Sequence, residues 1–438
     1  MVTAEQDLKL GLREGVQAES SPLSPLASVP ENSDPSEDTV DLLRQDILGH
    51  LESLQLPQDG ADPALISKSS IRSSHGRQRL AVFSHEMEHL RNRLPSLLDR
   101  FAEGAEVSPI CIKPRLVAVK SDTPDSDLFR LATLLWSVPV SRGYGRRMRY
   151  LVIDEQNDKL IGVLALGDPV FNLRARDSWI GWDAKQRRQR LVAVMDAFIL
   201  GAVPPYSQLL GGKLVASLAG SQEVCSAFET KYGSSKGIIS QQEKAAKLAL
   251  VTTTSALGRS SLYNRLLLRR ALPDGTKRTL VEFERIGMTS GYGHFQLSDQ
   301  LFARLKEALR KEGHSYVKQN RFGQGPNWRI RVIRVGLDLL GLDQNLLRHG
   351  IAREIYGLRL ASDALDYLRG ETDVIDLAPP PVDEISQAAL ERWIVPRSIR
   401  MTDWSEWNRD ALRERLLLAK ADRGDQLMLN REEGSAPS

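Results

Sequence analysis

Asp168, Asp177 and His294 are the side chains in this sequence best suited to catalysis. Two carboxylates in one polar, Trp-bearing segment (GDPVFNLRARDSWIGWD) can act as acid and base. A histidine in the glycine loop Ser290-Gly291-Tyr292-Gly293-His294 titrates near neutrality and can move a proton. Asp168 also has a plainer reading, because Gly-Asp-Pro makes a good turn after a strand. Around the carboxylates stand Arg146, Arg147, Arg174, Arg176, Arg187, Arg188 and Arg190, with Tyr144, Trp179 and Trp182. Guanidinium groups grip phosphates and aromatic rings stack on bases, so this set is suited to nucleic acid. The two tryptophans serve equally well as core anchors.

A second constellation lies in TTTSALGRSS, residues 252–261. Arg259, Ser260 and Ser261, followed by Arg265, fill a small polar loop after a strand. Backbone N–H groups in such a loop can cradle an anion, though the loop lacks the G-x-x-x-x-G-K-[ST] pattern. Lys213 adds a phosphate-binding cation from a neighbouring helix. His85 and His89 (HEMEH) share one helix face at zinc-binding spacing. No third ligand follows at a familiar spacing, so these histidines read as a solvated face. The residues imply no metal and identify no cofactor.

The elements that position these groups follow from hydrophobic period and punctuation. Residues 149–154 and 159–166 flank a polar turn and form a hairpin. Residues 167–183 then read as a loop at the sheet edge. Residues 184–200 read as a helix, as do 207–219 and 221–232, the last capped by Ser221 and stopped by Gly233. Residues 110–119, 247–254 and 283–289 read as strands. Residues 125–136, capped by Asp125 or Ser126, read as a helix, and a further helix begins near Leu262. Residues 297–313 and 342–360 read as helices, and 329–340 as strand or helix. In the N-terminal part, 39–56 and 71–105 are helical. The implied fold is mixed α/β: a central twisted, mostly antiparallel sheet with flanking helices. The chain divides into a disordered acidic tail (1–38), a helical region (39–105), the mixed core (106–360) and a helical acidic appendage (361–438) with a disordered end.

The net charge of +3 conceals a strong asymmetry: −9 over residues 1–60, +2 over 61–141, +16 over 142–359 and −6 over 360–438. A basic centre favours a polyanionic partner, and acidic ends can shield it. With 41% apolar and 26% charged residues, the composition is that of a soluble globular protein. No apolar run approaches the roughly 20 residues that span a bilayer. The first residues carry acids without an apolar core, which argues against a signal peptide. The two cysteines, read as buried thiols, fit a reducing, cytoplasmic setting.

Four strings resemble a known family: FRLATLLWSVPVSRGYGRRMRYLVID, IGVLALGDPVFNLRARDSWIGWD, LGAVPPYSQLLGGKLVASLAGS, and TTTSALGRSSLYNRL with IGMTSGYGHF. Over residues 71–360 the chain is similar to the bacterial family of Druantia DruA proteins. The resemblance implies a role in defence against phage beside other subunits, including a large helicase-like protein. It names no reaction. More weakly, the hairpin, the long strand and the helices between them look like an acyl-CoA N-acyltransferase, although that fold's Q/R-x-x-G-x-G/A loop has no match in the corresponding place. The function expected is nucleic-acid binding in a defence system. The alternatives are an enzyme of group transfer or phosphodiester cleavage, and a scaffold that recruits partner subunits.

Overall fold

Strands with apolar residues on both faces build the centre of this protein. The structure is a computed structural model that describes residues 35–53, 68–140, 143, 145–236, 243–289, 297–314, 326–347, 352–414 and 416. Its strands are β1 (Pro114–Ala118), β2 (Arg147–Asp154), β3 (Lys159–Gly167), β4 (Val194–Ala202), β5 (Ser234–Lys236), β6 (Glu243–Ala245), β7 (Leu250–Thr254), β8 (Leu267–Ala271), β9 (Lys277–Met288) and β10 (Glu354–Arg359). Eight of them form one sheet in the order β1-β2-β3-β4-β7-β10-β9-β8, and β5 pairs with β6 separately. Neighbours in the large sheet are antiparallel except β4 and β7, which are parallel. The architecture is therefore mixed α/β around a mostly antiparallel sheet.

Two expected helices are strands. The helix Ala184–Arg190 ends early, and its apolar continuation enters β4. Val194, Met195, Ala197, Ile199 and Leu200 are all buried, on alternating faces between β3 and β7. A half-exposed helix would need one polar face, which this run lacks. The same reason makes residues 354–359 strand β10, with Ile355, Tyr356 and Leu358 buried. No helix begins at Leu262; the chain turns there and enters β8. The supposed loop of residues 167–183 contains a helix, Arg174–Ile180, and residues 326–339 resolve as a helix. Thr123, ahead of the expected caps, closes the start of Pro124–Thr133 by accepting from Ser126 N. Ser221 does cap Gln222–Tyr232, and Gly233 follows it.

One face of the sheet packs on helices Gly211–Ser217, Gln222–Tyr232 and Val382–Ala389. The other face carries two clusters, one under Pro124–Thr133 and one under Arg174–Ile180 and Ala364–Arg369. A third small core joins the N-terminal helix Pro35–Ser53 to Asp299–Lys311 and Pro326–Leu339, although these are far apart in sequence. Strand register aligns Arg147, Gly167, Asp196, Thr252, Gly357 and Glu284 in one transverse row. The residues of interest at this end of the molecule are arranged along that row.

Candidate nucleic-acid interface

Asp177, in the first turn of Arg174–Ile180, has its carboxylate fully engaged. Its Oδ1 accepts from Arg176 Nε (2.9 Å), Arg176 Nη2 (2.6 Å) and Trp182 Nε1 (3.1 Å). Its Oδ2 accepts from Arg187 Nη1 (3.0 Å) and from Leu173 N (3.2 Å). Arg176 has no exposed surface and also donates to the carbonyls of Val170 and Phe171. Burial pulls its guanidinium below its ordinary value, while Asp177 and Asp196 oppose that shift. Trp182 is a core residue, with Arg176 5.5 Å from its ring. Trp179 packs over β10, where a Cβ on Gly357 would lie 3.1 Å from its Cη2. Both rings are thus used within the protein.

Asp168 serves a different arginine. Arg146 donates to it through its backbone N (3.0 Å) and Nε (2.6 Å). Arg146 Nη1 and Nη2 reach the carbonyls of Val192 and Val194, and the guanidinium lies against the rings of Phe228 and Tyr232. Arg146 therefore staples the turn before β2 to the start of β4. Gly145 is required there: its φ is +58°, and a Cβ would fall 2.0 Å from Asp168 Oδ2. The two carboxylates sit in separate ion pairs, and His294 and Tyr144 lie outside the described residues.

The remaining cations divide in the same way. Arg190 pairs with Asp373 and stacks on Tyr367, while Arg174 and Arg188 stand exposed. At the expected cradle, Ser260 N donates to Glu354 Oε2 at 3.1 Å. Tyr356 donates to the same oxygen, and Arg285 Nε lies 3.0 Å from Oε1. Burial opposes ionisation of Glu354, but Tyr356, Ser260 and Arg285 hold its carboxyl below the usual range. The anion in that loop is the protein's own carboxylate. Ser260 Oγ accepts from Leu262 N and Tyr263 N and shapes the turn, whereas Ser261, Arg259 and Arg265 are exposed. His89 lies 3.5 Å from Asp127, which also holds Arg93, and His85 is exposed. Cys225 is buried, and burial pushes its thiol up to about 12; Cys111, against expectation, is exposed because it lies in the turn before β1.

Beside the Asp168 turn, a groove of about 590 Å³ follows the free edge of β2 beyond the end of β1. Lys120, Arg147, Arg149, Tyr150, Lys231 and Tyr232 are among the residues that line it. Tyr232 and Lys231 satisfy the strand edge: the Tyr232 hydroxyl accepts from Arg147 N (2.9 Å), and Lys231 Nζ donates to Arg147 O (2.9 Å). Arg149 lies over Phe129. Its guanidinium is held below its ordinary value by burial, then by Arg147 and Arg130. Lys120, Arg149 and Lys231 are not among the cations expected from residue type and spacing. A signal was present: Arg147 and Arg149 in RRMR share one strand face at period two.

A second, shallower depression of about 400 Å³ is lined by Asn172, Arg174, Asp177, Ser178, Gly181, Trp182 and Arg187. Arg187 Nε there is buried with no hydrogen-bond acceptor among the described residues. Asp196, also unanticipated as a site residue, accepts from Thr252 Oγ1 at 2.8 Å in the centre of the transverse row. Burial pushes its carboxyl up to about 6, against the pull of Thr252 and Arg176.

Comparison with known proteins bears on this arrangement. The sequence pattern of the family described as "Druantia protein DruA" matches residues 66–370. The chain belongs to the Druantia DruA family. It is 45% identical over 371 residues to the Druantia protein DruA of Escherichia coli (strain UMEA 4076-1), covering 83% of this chain and 89% of that protein. No solved structure matches it. The stretch matched to the Druantia DruA family contains the β2-edge groove, the Asp177 hub and the Arg146 staple. No helix among the described residues is long and apolar enough to cross a membrane, and no group of three or more His, Cys, Asp or Glu among them is arranged to hold a metal.

Proposed function

We propose that this protein is a nucleic-acid-binding subunit of a Druantia anti-phage defence system and that the β2-edge groove carries the phosphate backbone. One observation supports this most strongly: Lys120, Arg147, Arg149 and Lys231 line a single groove, where burial first, then Arg147 and Arg130, hold the Arg149 guanidinium below its ordinary value. Like charges held together cost free energy, which a phosphate strand relieves. Lys120 and Lys231 extend the cationic lining, and Tyr232 brings an aromatic ring beside it. Arg174 and Arg187 line the second depression, which we assign to the same partner. The acidic segments at 1–60 and 360–438 lie outside this surface in sequence and suit contacts with partner subunits, a large helicase-like protein among them. The setting is cytoplasmic.

The test is binding to fluorescent DNA and RNA oligonucleotides across a salt series. Affinity is expected to fall steeply as salt rises. Salt-insensitive binding, or none at low salt, would overturn the reading.

A further inference from the structure

We propose that the hairpin of β8 and β9 is an arm that enters the major groove of duplex DNA. Strand β9 registers with β10 only over residues 283–288, so residues 277–282 have β8 alone beside them, a span of about 20 Å. Leu268, Leu280 and Val281 root this ribbon in the core, and every residue from 269 to 279 is exposed. The tip is a tight turn: Gly275 N donates to Leu272 O (2.9 Å) and Leu272 N to Thr276 O (2.8 Å), with Gly275 at φ +81°. Pro273 suits the start of such a turn and glycine its left-handed position.

The arm reads RRALPDGTKRT over residues 269–279, with Arg269, Arg270, Lys277 and Arg278 against the single acid Asp274. That acid is used in the turn, where it accepts from Thr276 Oγ1 (2.6 Å) and Thr276 N (2.9 Å), and the hydroxyl, then the amide, hold its carboxyl below the usual range. Arg270 stands directly opposite Arg278, and Ala271 opposite Lys277. Opposed residues share a face and neighbours alternate, so Arg270 and Arg278 mark one face and Arg269 and Lys277 the other. Glu384, in the helix Val382–Ala389, lies 3.4 Å from Arg270 and 3.8 Å from Arg278 and steadies the first face. On the second, Arg269 and Lys277 meet no acid among the described residues. Cations used within the fold are placed differently: Lys213 lies 5.1 Å from the centre of the buried Trp393 ring.

Shape and charge select the ligand. A two-stranded ribbon fits the major groove of B-form DNA, about 12 Å wide, and not the deep, narrow major groove of A-form RNA. A single strand has no groove to receive it. Exposed Leu272 at the tip suits the thymine methyl groups displayed in the DNA groove. Strands β2 and β9 point the same way, and β9 begins ahead of the row that contains Arg147 and Glu284. The arm therefore leaves the sheet at the end where β2 and its groove begin. Six strand spacings separate β2 from β8, about 29 Å, close to the roughly 34 Å of one duplex turn. The class of partner rests on the nucleic-acid reading above, whereas the contact lies on a different surface.

Fluorescence anisotropy of the full-length protein, with one sequence presented as DNA duplex, RNA duplex and single-stranded DNA, tests the arm. The DNA duplex is expected to bind most tightly. Arg269→Gln with Lys277→Gln is expected to weaken DNA-duplex binding about tenfold and to lower its salt slope by about two, with the other two probes and the melting temperature unchanged. Arg147→Glu with Lys231→Glu is expected to weaken all three probes. If that groove variant weakens none while the arm variant still loses the DNA duplex, the groove reading fails and the arm stands. If the groove variant weakens all three while the arm variant binds the DNA duplex as the unaltered protein does, the arm alone is overturned. It is also overturned if the RNA duplex binds as tightly as the DNA duplex, or if the arm variant loses single-stranded DNA as much as duplex, which would make the arm a general polyanion contact. Binding of none of the three probes overturns both readings.

Discussion

Two arginine-rich regions flank the Asp168 turn and use their charge in opposite ways. In residues 170–190, Arg176 and Arg187 converge on Asp177 and Arg190 is answered by Asp373, so three of the six cations there are paired with acids. Along β2, Arg149 has Arg147 and Arg130 as charged neighbours and Lys231 lines the same groove; of these four only Arg130 meets an acid among the described residues, Glu86 at 4.0 Å. The first region is richer in arginine in the sequence, yet the second offers more charge to a ligand. Cation density along a chain therefore predicts binding only after subtraction of the acids that fold onto it.

The largest test of this contrast is Asp177→Ala. It would leave a fully buried guanidinium with only Asp196 nearby, at an expected cost of about 3–5 kcal/mol in denaturant unfolding. A loss below about 1 kcal/mol would show that Arg176 is not held by its ion pair.

Asp196→Asn separates the roles of the two acids that face Arg176. The carboxyl of Asp196 is raised to about 6 from 3.8, so the folded protein binds the proton more tightly than the unfolded chain. Stability from this group is complete below its unfolded value, falls as pH rises to about 6, and stays low above it. The asparagine is expected to remove that fall and to raise stability at neutral pH by up to about 3 kcal/mol. Thermal melts from acid to neutral pH measure this. A melt profile unchanged by the substitution, or a variant less stable at neutral pH, would mean that Arg176 depends on Asp196 as well as Asp177.

On the binding side, Arg147→Glu with Lys231→Glu is expected to weaken nucleic-acid affinity tenfold or more and to reduce the salt slope by about two, with little change in melting temperature. Equal loss from the double variant and from a variant of Arg188 would erase the contrast between the regions. The smallest effect is expected for Arg174→Gln: less than about threefold in affinity, since one exposed charge in the second depression contributes little. A larger effect would extend the interface across the Asp177 region.

Local pattern made part of this molecule legible. The β2–β3 hairpin is read directly from two β-rich runs around Glu155-Gln156-Asn157-Asp158, and Ser221 with Gly233 marks the ends of one helix. Strands β4 and β10 were harder, because a short apolar run fully buried in a sheet has no polar face to reveal its period. The site was legible in residue type but less so in role. Asp168, Asp177 and Ser260 are where chemistry-bearing residues were expected, and each is engaged in internal hydrogen bonds.

The sequence by itself determined the mixed α/β class, the concentration of positive charge between acidic ends, and membership of the Druantia DruA family. Those properties reside in composition, short-range period and similarity spread over most of the chain. Only the tertiary structure decided which cations remain available. Arg146 finds Asp168, Arg190 finds Asp373, and Ser260 finds Glu354 across long stretches of chain, while Arg149 finds Arg130 instead of an acid. Neutralisation of a charge depends on distance in space, and that distance is set by strand order and register.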